Sequence, residues 1–246
     1  MAKNVAVIIC AAGSSSRFGG KRKKPFTDVA GRAAVIRSVE MFSERTDVKQ
    51  IILAIPPEDE ELVTVKWGSN LKFFGVKIIT GGTERFDTVA KALAFVKDDI
   101  DLVAVHDAVR CCVTVQWIED VLNKAAETGA AILACPVVAT VKKVTEGFIA
   151  ETVDRTGLYE AQTPQVFRTD LLKKVYANLD KLDKSRISDD AQLIEAFGEK
   201  VSIVETDSSN IKITKPSDIA IAEAIIKSRP KLKSEGPIGP YAEAQW

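Results

Sequence analysis

Short, near-continuous apolar runs alternate with amphipathic stretches through the first half of the chain. Val5–Cys10, Gln50–Ile55, Val76–Ile79 and Leu102–Val105 have strand length and little polar face, the pattern of parallel strands covered on both sides. Between them, Val35, Val39 and Phe42 share one helical face, as do Phe86, Val89, Ala90 and Leu93. Thr114 is placed to cap a helix that runs to about Thr128 and stops at Gly129, and Ala131–Val138 reads as another buried strand. This alternation predicts right-handed βαβ units and an open, mostly parallel α/β sheet with helices on both faces.

The pattern breaks after Pro136. Thr140–Val144 and Phe148–Val153 alternate in polarity around a Thr-Glu-Gly turn, which predicts a β-hairpin arm over about 138–156. A lone hairpin is marginal in water, so the arm needs a support, and a partner subunit is one. Helical patterns return at Leu171–Leu179 and Asp189–Phe197. Short strands are predicted at Val201–Val204 and Ile211–Ile213. A last helix starts near Pro216 and repeats Ile219, Ala222 and Ile226 on one face. Residues 229–246, with three prolines and two glycines, read as a loose tail. The organisation expected is one domain over 1–228, an inserted arm and a disordered tail.

Composition narrows the function classes. Lys+Arg and Asp+Glu are 34 each, so no bulk charge draws the chain to nucleic acid or anionic lipid. The longest apolar run, Val5 to Ala12, is far below the ~20 residues of a membrane span. Lys3 before that run imitates a weak signal peptide, but no small-x-small site closes it and a basic run follows. Cys10, Cys111, Cys112 and Cys135 lack zinc spacing and form no secreted framework, so a reduced, cytoplasmic chain is expected. A single histidine, His106, excludes a multi-histidine metal site.

Four segments can carry chemistry. The stretch Ala11-Ala12-Gly13-Ser14-Ser15-Ser16-Arg17, followed by the basic run Lys21–Lys24, comes straight after the first strand, where open α/β sheets bind ligands. Gly13 lets the backbone approach a phosphate, and Arg17 and the lysines supply charge. The stretch matches neither G-x-x-x-x-G-K-[ST] nor G-x-G-x-x-G, which argues against a P-loop NTPase and a dinucleotide-binding enzyme. The second segment, Gly81-Gly82-Thr83-Glu84-Arg85-Phe86-Asp87-Thr88, ends a strand and opens a helix, with Thr83 as a possible cap. The third, His106-Asp107-Ala108-Val109-Arg110, ends the fourth strand. Asp107 can bind a hydroxyl or a metal ion and Arg110 a phosphate, or the two simply pair. The fourth is the downstream set Thr140, Asp154-Arg155, Gln162-Thr163-Pro164-Gln165 and Asn210-Ile211-Lys212, whose members matter in combination.

Taken in order, the motifs A-A-G-x-x-x-R, G-G-x-x-R-x-D-[ST]-V, H-D-A-x-R, P-V-x-x-T-x-K, T-V-D-R-x-G-L-[WY]-x-A-Q-T-P-Q-x-F and N-I-K-[IV]-T resemble the 2-C-methyl-D-erythritol 4-phosphate cytidylyltransferase family, from about Val5 to Ile226. Glu151–Phe167 is the most diagnostic stretch. The resemblance implies a Rossmann-like nucleotidyltransferase sheet and a reaction that joins a sugar-alcohol phosphate to CTP. It implies that Gly13, Arg17 and Lys24 hold the CTP phosphates, that Ala11 and Ala12 line the nucleotide pocket, and that Gly82 and Thr88 help read cytosine. Asp107 would contact the ribose or the acceptor, and Lys212 would sit near the α-phosphate. Arg110, Thr140, Arg155 and Thr163 would grip the acceptor phosphate. Mg²⁺ held mainly by substrate phosphates, no protein metal ligand, and a homodimer built through the arm complete the picture.

The chemistry suits these residue types. The nucleophile is a phosphate oxygen, already largely ionised, so in-line positioning and charge stabilisation replace a strong general base. The chain departs from the family at Ser15, at Pro25 after Lys24, and at Cys111 after Arg110. Pro25 biases Lys24 toward extended geometry. A ribitol or ribulose 5-phosphate cytidylyltransferase and a catalytically silent CTP-binding protein are the alternatives.

Overall fold

A computed structural model describes residues 3–13, 24–181, 183–184 and 187–230. In chain order its elements are β1 (Val5–Cys10), β2 (Asp28–Val29), β3 (Arg32–Ala33), α1 (Ala34–Ser43), β4 (Val48–Ile55), α2 (Glu60–Phe73), β5 (Val76–Thr80), α3 (Arg85–Leu93) and β6 (Leu102–Asp107). Then come α4 (Val115–Thr128), β7 (Ala130–Pro136), β8 (Val141–Thr145), β9 (Phe148–Val153), β10 (Tyr159–Arg168), α5 (Thr169–Ala177), α6 (Asp190–Ala196), β11 (Ser202–Glu205) and α7 (Ser217–Ser228).

The main sheet has the order β11-β7-β10-β6-β1-β4-β5. Its paired strands run parallel except β10, which is antiparallel to both β6 and β7. The apolar runs explain the layering. Along β1, Val5, Val7 and Ile9 pack with α1, α2 and α4, while Ala6 and Ile8 pack with α3, α5 and α6. The same alternation splits Ile51, Leu53 and Ile55 of β4 from Ile52 and Ala54. Each face is thus buried, and every large side chain so covered contributes about 1.5–3 kcal/mol.

The expected elements are present with small shifts at their ends. Thr114 caps α4 by accepting the Trp117 N–H at 3.2 Å, and Gly129 ends it with φ of 93°. Three readings are corrected. Ile211–Ile213 forms no strand and instead tucks Ile213 under a small apolar cluster with Val29, Cys111, Cys112 and Ala222. The cap of α3 is Glu84, not Thr83, because Glu84 and Asp87 form a reciprocal capping box. Lys24 is not extended: it opens a 3-10 turn, Lys24–Phe26, closed by the Thr27 N–H on the Lys24 carbonyl at 3.2 Å.

Two elements carry no clear sequence signal. In α2 the apolar residues are scattered around the helix, and only Val63 and Leu71 are fully buried. In β10 the polar residues Gln162, Thr163 and Gln165 interrupt the apolar pattern, yet all three are buried. The arm is a separate two-stranded sheet of β8 and β9, turned by Glu146 and Gly147 at positive φ, 52° and 85°. Arg17, Ser15 and residues 231–246 lie outside the described residues. Among the described residues, no helix is long and apolar enough to cross a membrane.

Candidate active site

The strand ends β1, β6 and β5, with the chain leading into α7, enclose a cleft of about 330 Å³. It is lined by Ala11, Ala12, Gly13 and Lys24 from the first segment and by Gly82, Arg85 and Thr88 from the second. Asp107 and Lys212 complete it. The sheet sets this convergence. Ala11 N–H continues the β1 ladder onto Ala54, Ala108 N–H donates to Cys10, and Gly81 N–H donates to Ile55, at 2.8–3.1 Å. These bonds place the three strand ends side by side.

Glycine is required where two of them meet. A β-carbon on Gly81 would lie 2.3 Å from that of Ala12, and one on Gly82 would lie 2.3 Å from that of Asp87. The Gly82 N–H donates to the Thr88 hydroxyl at 3.0 Å, which in turn donates to the Glu84 carbonyl at 3.1 Å. Thr88 therefore shapes the turn that it was expected to share with a base.

Asp107 is the electrostatic centre. It is 7% exposed and faces three cations: Lys212 Nζ at 2.7 Å, Arg110 Nε at 3.6 Å and Arg85 Nε at 3.7 Å. Burial alone would raise its pKa. Lys212, Arg85 and Arg110 reverse that and hold the carboxyl well below the usual carboxylate range. Arg85 also pairs with Asp190 of α6, which accepts the Tyr176 hydroxyl at 2.5 Å. Burial pushes the Cys10 thiol up to about 12, against the pull of Arg85, so it is no nucleophile near neutral pH.

Behind Asp107 lies a buried polar layer. The Thr163 hydroxyl accepts the Asp107 N–H at 3.0 Å and sits 3.1 Å from His106 Nδ1. Burial pulls His106 down to about 4, which Asp107 only partly offsets, so the imidazole is neutral and plays no acid–base part in the cleft. Asn210 Nδ2 donates to Gln162 at 2.8 Å and to the Thr163 carbonyl at 3.2 Å. Arg110 donates to the Asn210 carbonyl at 2.7 Å. Thr206 donates to the same Gln162 oxygen at 2.9 Å. On the far side, Asp218 accepts the N–H groups of Thr214 and Lys215 at 2.8 and 3.0 Å. Lys212 is thus held in a loop pinned at both ends. This network unites the Gln162-Thr163 and Asn210-Lys212 motifs, which lie far apart in sequence.

Of the residues singled out from sequence, Lys24, Ala11, Ala12, Gly13, Gly82, Thr88, Asp107 and Lys212 line one cleft. Arg110 and Thr163 flank it through Asp107. Thr140 and Arg155 do not join it: both are exposed at the base of the arm, where the Arg155 guanidinium donates to the Val138 carbonyl. Sequence reasoning gave Arg85 and Asp218 no role. The Arg of G-G-x-x-R, placed to open a helix beside the cleft, was the available signal for Arg85. Cys111 and Cys112 are buried against α7, and among the described residues all four cysteines are free thiols.

Comparisons with known proteins bear on the family and the fold. A family model described as 2-C-methyl-D-erythritol 4-phosphate cytidylyltransferase matches residues 5–228. A relative of that description from Endomicrobium trichonymphae is 43% identical, covering 91% of this chain and 99% of its own. One from Rhodopirellula baltica is 40% identical, covering 92% and 96%. Among solved structures, the 4-diphosphocytidyl-2C-methyl-D-erythritol synthase from Anaerococcus prevotii superposes with a TM-score of 0.78 at 29% identity, covering 92% and 97%. The cytidylyltransferase from Thermus thermophilus gives 0.75 at 31%, covering 90% and 98%.

Proposed function

Since the chain belongs to the 2-C-methyl-D-erythritol 4-phosphate cytidylyltransferase family, we propose how its residues divide the work of that reaction. The chain transfers the cytidylyl group of CTP to 2-C-methyl-D-erythritol 4-phosphate, giving 4-diphosphocytidyl-2-C-methyl-D-erythritol and pyrophosphate. An acceptor phosphate oxygen forms a bond to the α-phosphorus as the bond to the β-phosphate oxygen breaks. The carrying observation is the cation cluster around Asp107 in the same cleft as Lys24.

Lys212 and Lys24 bind the triphosphate and stabilise the charge that grows at the α-phosphorus. Arg17, which follows β1 in sequence, takes part as well. Lys212 reaches phosphate by leaving Asp107, and Arg85 and Arg110 keep that carboxylate ionised when it does. Ala11, Ala12 and Gly13 offer backbone to the nucleotide, and Gly82 and Thr88 border the base. Asp107 accepts a hydroxyl of ribose or acceptor. Arg110 and Thr163 act on the acceptor side, together with Thr140 and Arg155. The last two do not line this chain's cleft, and the proposal gives them to the cleft of a neighbouring copy in a homodimer joined through the arm. The exposure of Val144, Phe148 and Ile149 supports this.

Magnesium enters as an ion carried by the substrate. Asp107 is already opposed by three cations, and among the described residues no three His, Cys, Asp or Glu side chains converge on a metal. That donor set fits an ion whose ligands are phosphate oxygens and water. When bound, it neutralises charge on the departing pyrophosphate. A cytoplasmic setting belongs to the same proposal and is supported by the free thiols.

The test is pyrophosphate release from CTP with methylerythritol phosphate, with ribitol phosphate as the competing acceptor and UTP, ATP and GTP as controls. Release with methylerythritol phosphate and CTP alone is expected. Equal or faster release with ribitol phosphate would overturn the acceptor assignment.

A further inference from the structure

The basic run of the sequence ends at Lys24, and from there an aromatic stack holds the described chain. Lys24 and Pro25 line the cleft, whereas Phe26 lines a separate hollow together with Trp67 of α2. The rings of Phe26 and Trp67 lie 5.0 Å apart with planes inclined at 26°. Phe26 is buried in the same apolar cluster as α1 and β4, and Trp67 packs against that cluster from outside. Lys66 Nζ stands over the Trp67 ring at 4.7 Å. Lys24 and Phe26 are the two ends of one 3-10 turn, so a displacement of the Phe26 ring displaces Lys24.

A three-residue turn has no stability of its own and takes its position from what it packs against. The backbone ties are the Thr27 N–H on Lys24 and the Ala34 N–H on the Thr27 carbonyl at 3.0 Å. They close the turn and join it to α1. The Phe26 side chain then decides how the turn is seated, and Trp67 is the aromatic surface on which it rests. A lysine ammonium on a four-carbon stem is placed by its backbone origin, and phosphoryl transfer is sensitive to misplacement of about 1 Å.

We propose that Trp67 is a positioning residue for cytidylyl transfer, which sets the place of Lys24 in the cleft through its stack on Phe26. This rests on the role given to Lys24 above. Trp67 touches no reacting group. In its helix only Val63 and Leu71 are fully buried, and the stack gives the half-buried Trp67 a packing role beside them.

The experiment is a double-mutant cycle read as kcat for pyrophosphate release from CTP and methylerythritol phosphate, with melting temperature as a control. Trp67→Ala is expected to lower kcat about 10- to 100-fold in the otherwise native chain. In a Lys24→Ala background it should change kcat by less than about twofold, because the group it positions is gone. Trp67→Phe keeps a ring against Phe26 and should stay within about threefold of the native rate. If Trp67→Ala unfolds the protein, Phe26→Leu keeps apolar volume and should show the same loss of effect in the Lys24→Ala background. An equal fold-loss with and without Lys24, or no loss in either, would overturn the proposal. A native protein that releases no pyrophosphate would overturn the reading of the cleft, and this inference with it.

Discussion

The cleft and the arm handle charge and apolar surface in opposite ways. In the cleft, the carboxylates are buried and paired: Asp107 has three cations around it, and Asp190 has Arg85 and Tyr176. In the arm, apolar groups stand in water: Phe148 is 79% exposed and Ile149 64%. The arm's own ties are surface contacts, such as Lys142 to Thr152 at 2.6 Å and Lys143 to Glu151 at 4.0 Å, which contribute little. One chain therefore suffices to assemble the cleft. Thr140 and Arg155, proposed above for the acceptor side, stand exposed at the base of the arm.

The contrast is broken most severely at Lys212. Lys212→Ala should lower kcat about 10²- to 10³-fold. Arg85 and Arg110 still face Asp107, so the melting temperature should move little. A large loss of stability would show that Lys212 is structural.

Arg155→Ala should raise KM for methylerythritol phosphate about 10- to 100-fold with CTP binding unchanged, the mark of one lost charge-assisted contact. Mixing this variant with Lys212→Ala sharpens the point. A dimer of the two then holds one cleft with intact Lys212 beside an intact neighbouring Arg155, and at acceptor concentrations well below the raised KM activity should return above that of either parent. No recovery on mixing would place Arg155 in its own chain's site.

Phe148→Asp puts a charge on the exposed apolar face and should shift sedimentation toward monomer while leaving the cleft folded. An unchanged sedimentation coefficient would remove the arm from the interface.

The last effect concerns stability and its dependence on pH, and leaves the contrast itself untouched. His106 falls from an ordinary 6.5 to about 4 on folding, so the unfolded chain binds more protons between those values. Its contribution is present above about pH 6.5 and is lost as pH falls toward 4, by on the order of 3 kcal/mol. Asp107 acts in a lower window, because its depressed carboxyl loses its contribution only below the ordinary carboxylate range. Denaturant titrations from pH 7 to 4 should show the decline in the native chain and a flatter curve in His106→Gln. Equal slopes would contradict the neutral assignment.

Where local pattern and burial agree, the elements were legible. The apolar runs of β1, β4 and β6 announce strands because both their faces are covered, and Thr114 and Gly129 bound α4 by their own chemistry. Illegible elements owe their state to distant partners. β10 places Gln162, Thr163 and Gln165 inside the protein because Asn210, Thr206, Asp107 and Asp189 satisfy them there. α2 has no apolar stripe: it packs on the sheet through Val63 and Leu71 and stacks Trp67 on Phe26 of the 3-10 turn. Ile211–Ile213 alternates like a strand but serves as a strap between Val109 and α7.

By itself the sequence determined the sheet's strands, the hairpin, the order of the motifs and, through them, the family, since these rest on periodicity and local backbone preference. The tertiary structure alone decided that Asp107 is a shared counter-ion, that His106 is neutral, that Arg85 belongs with the site and that Arg155 stands apart from it. Those properties come from burial and from charges brought together across the sheet, and neither is a function of neighbours along the chain.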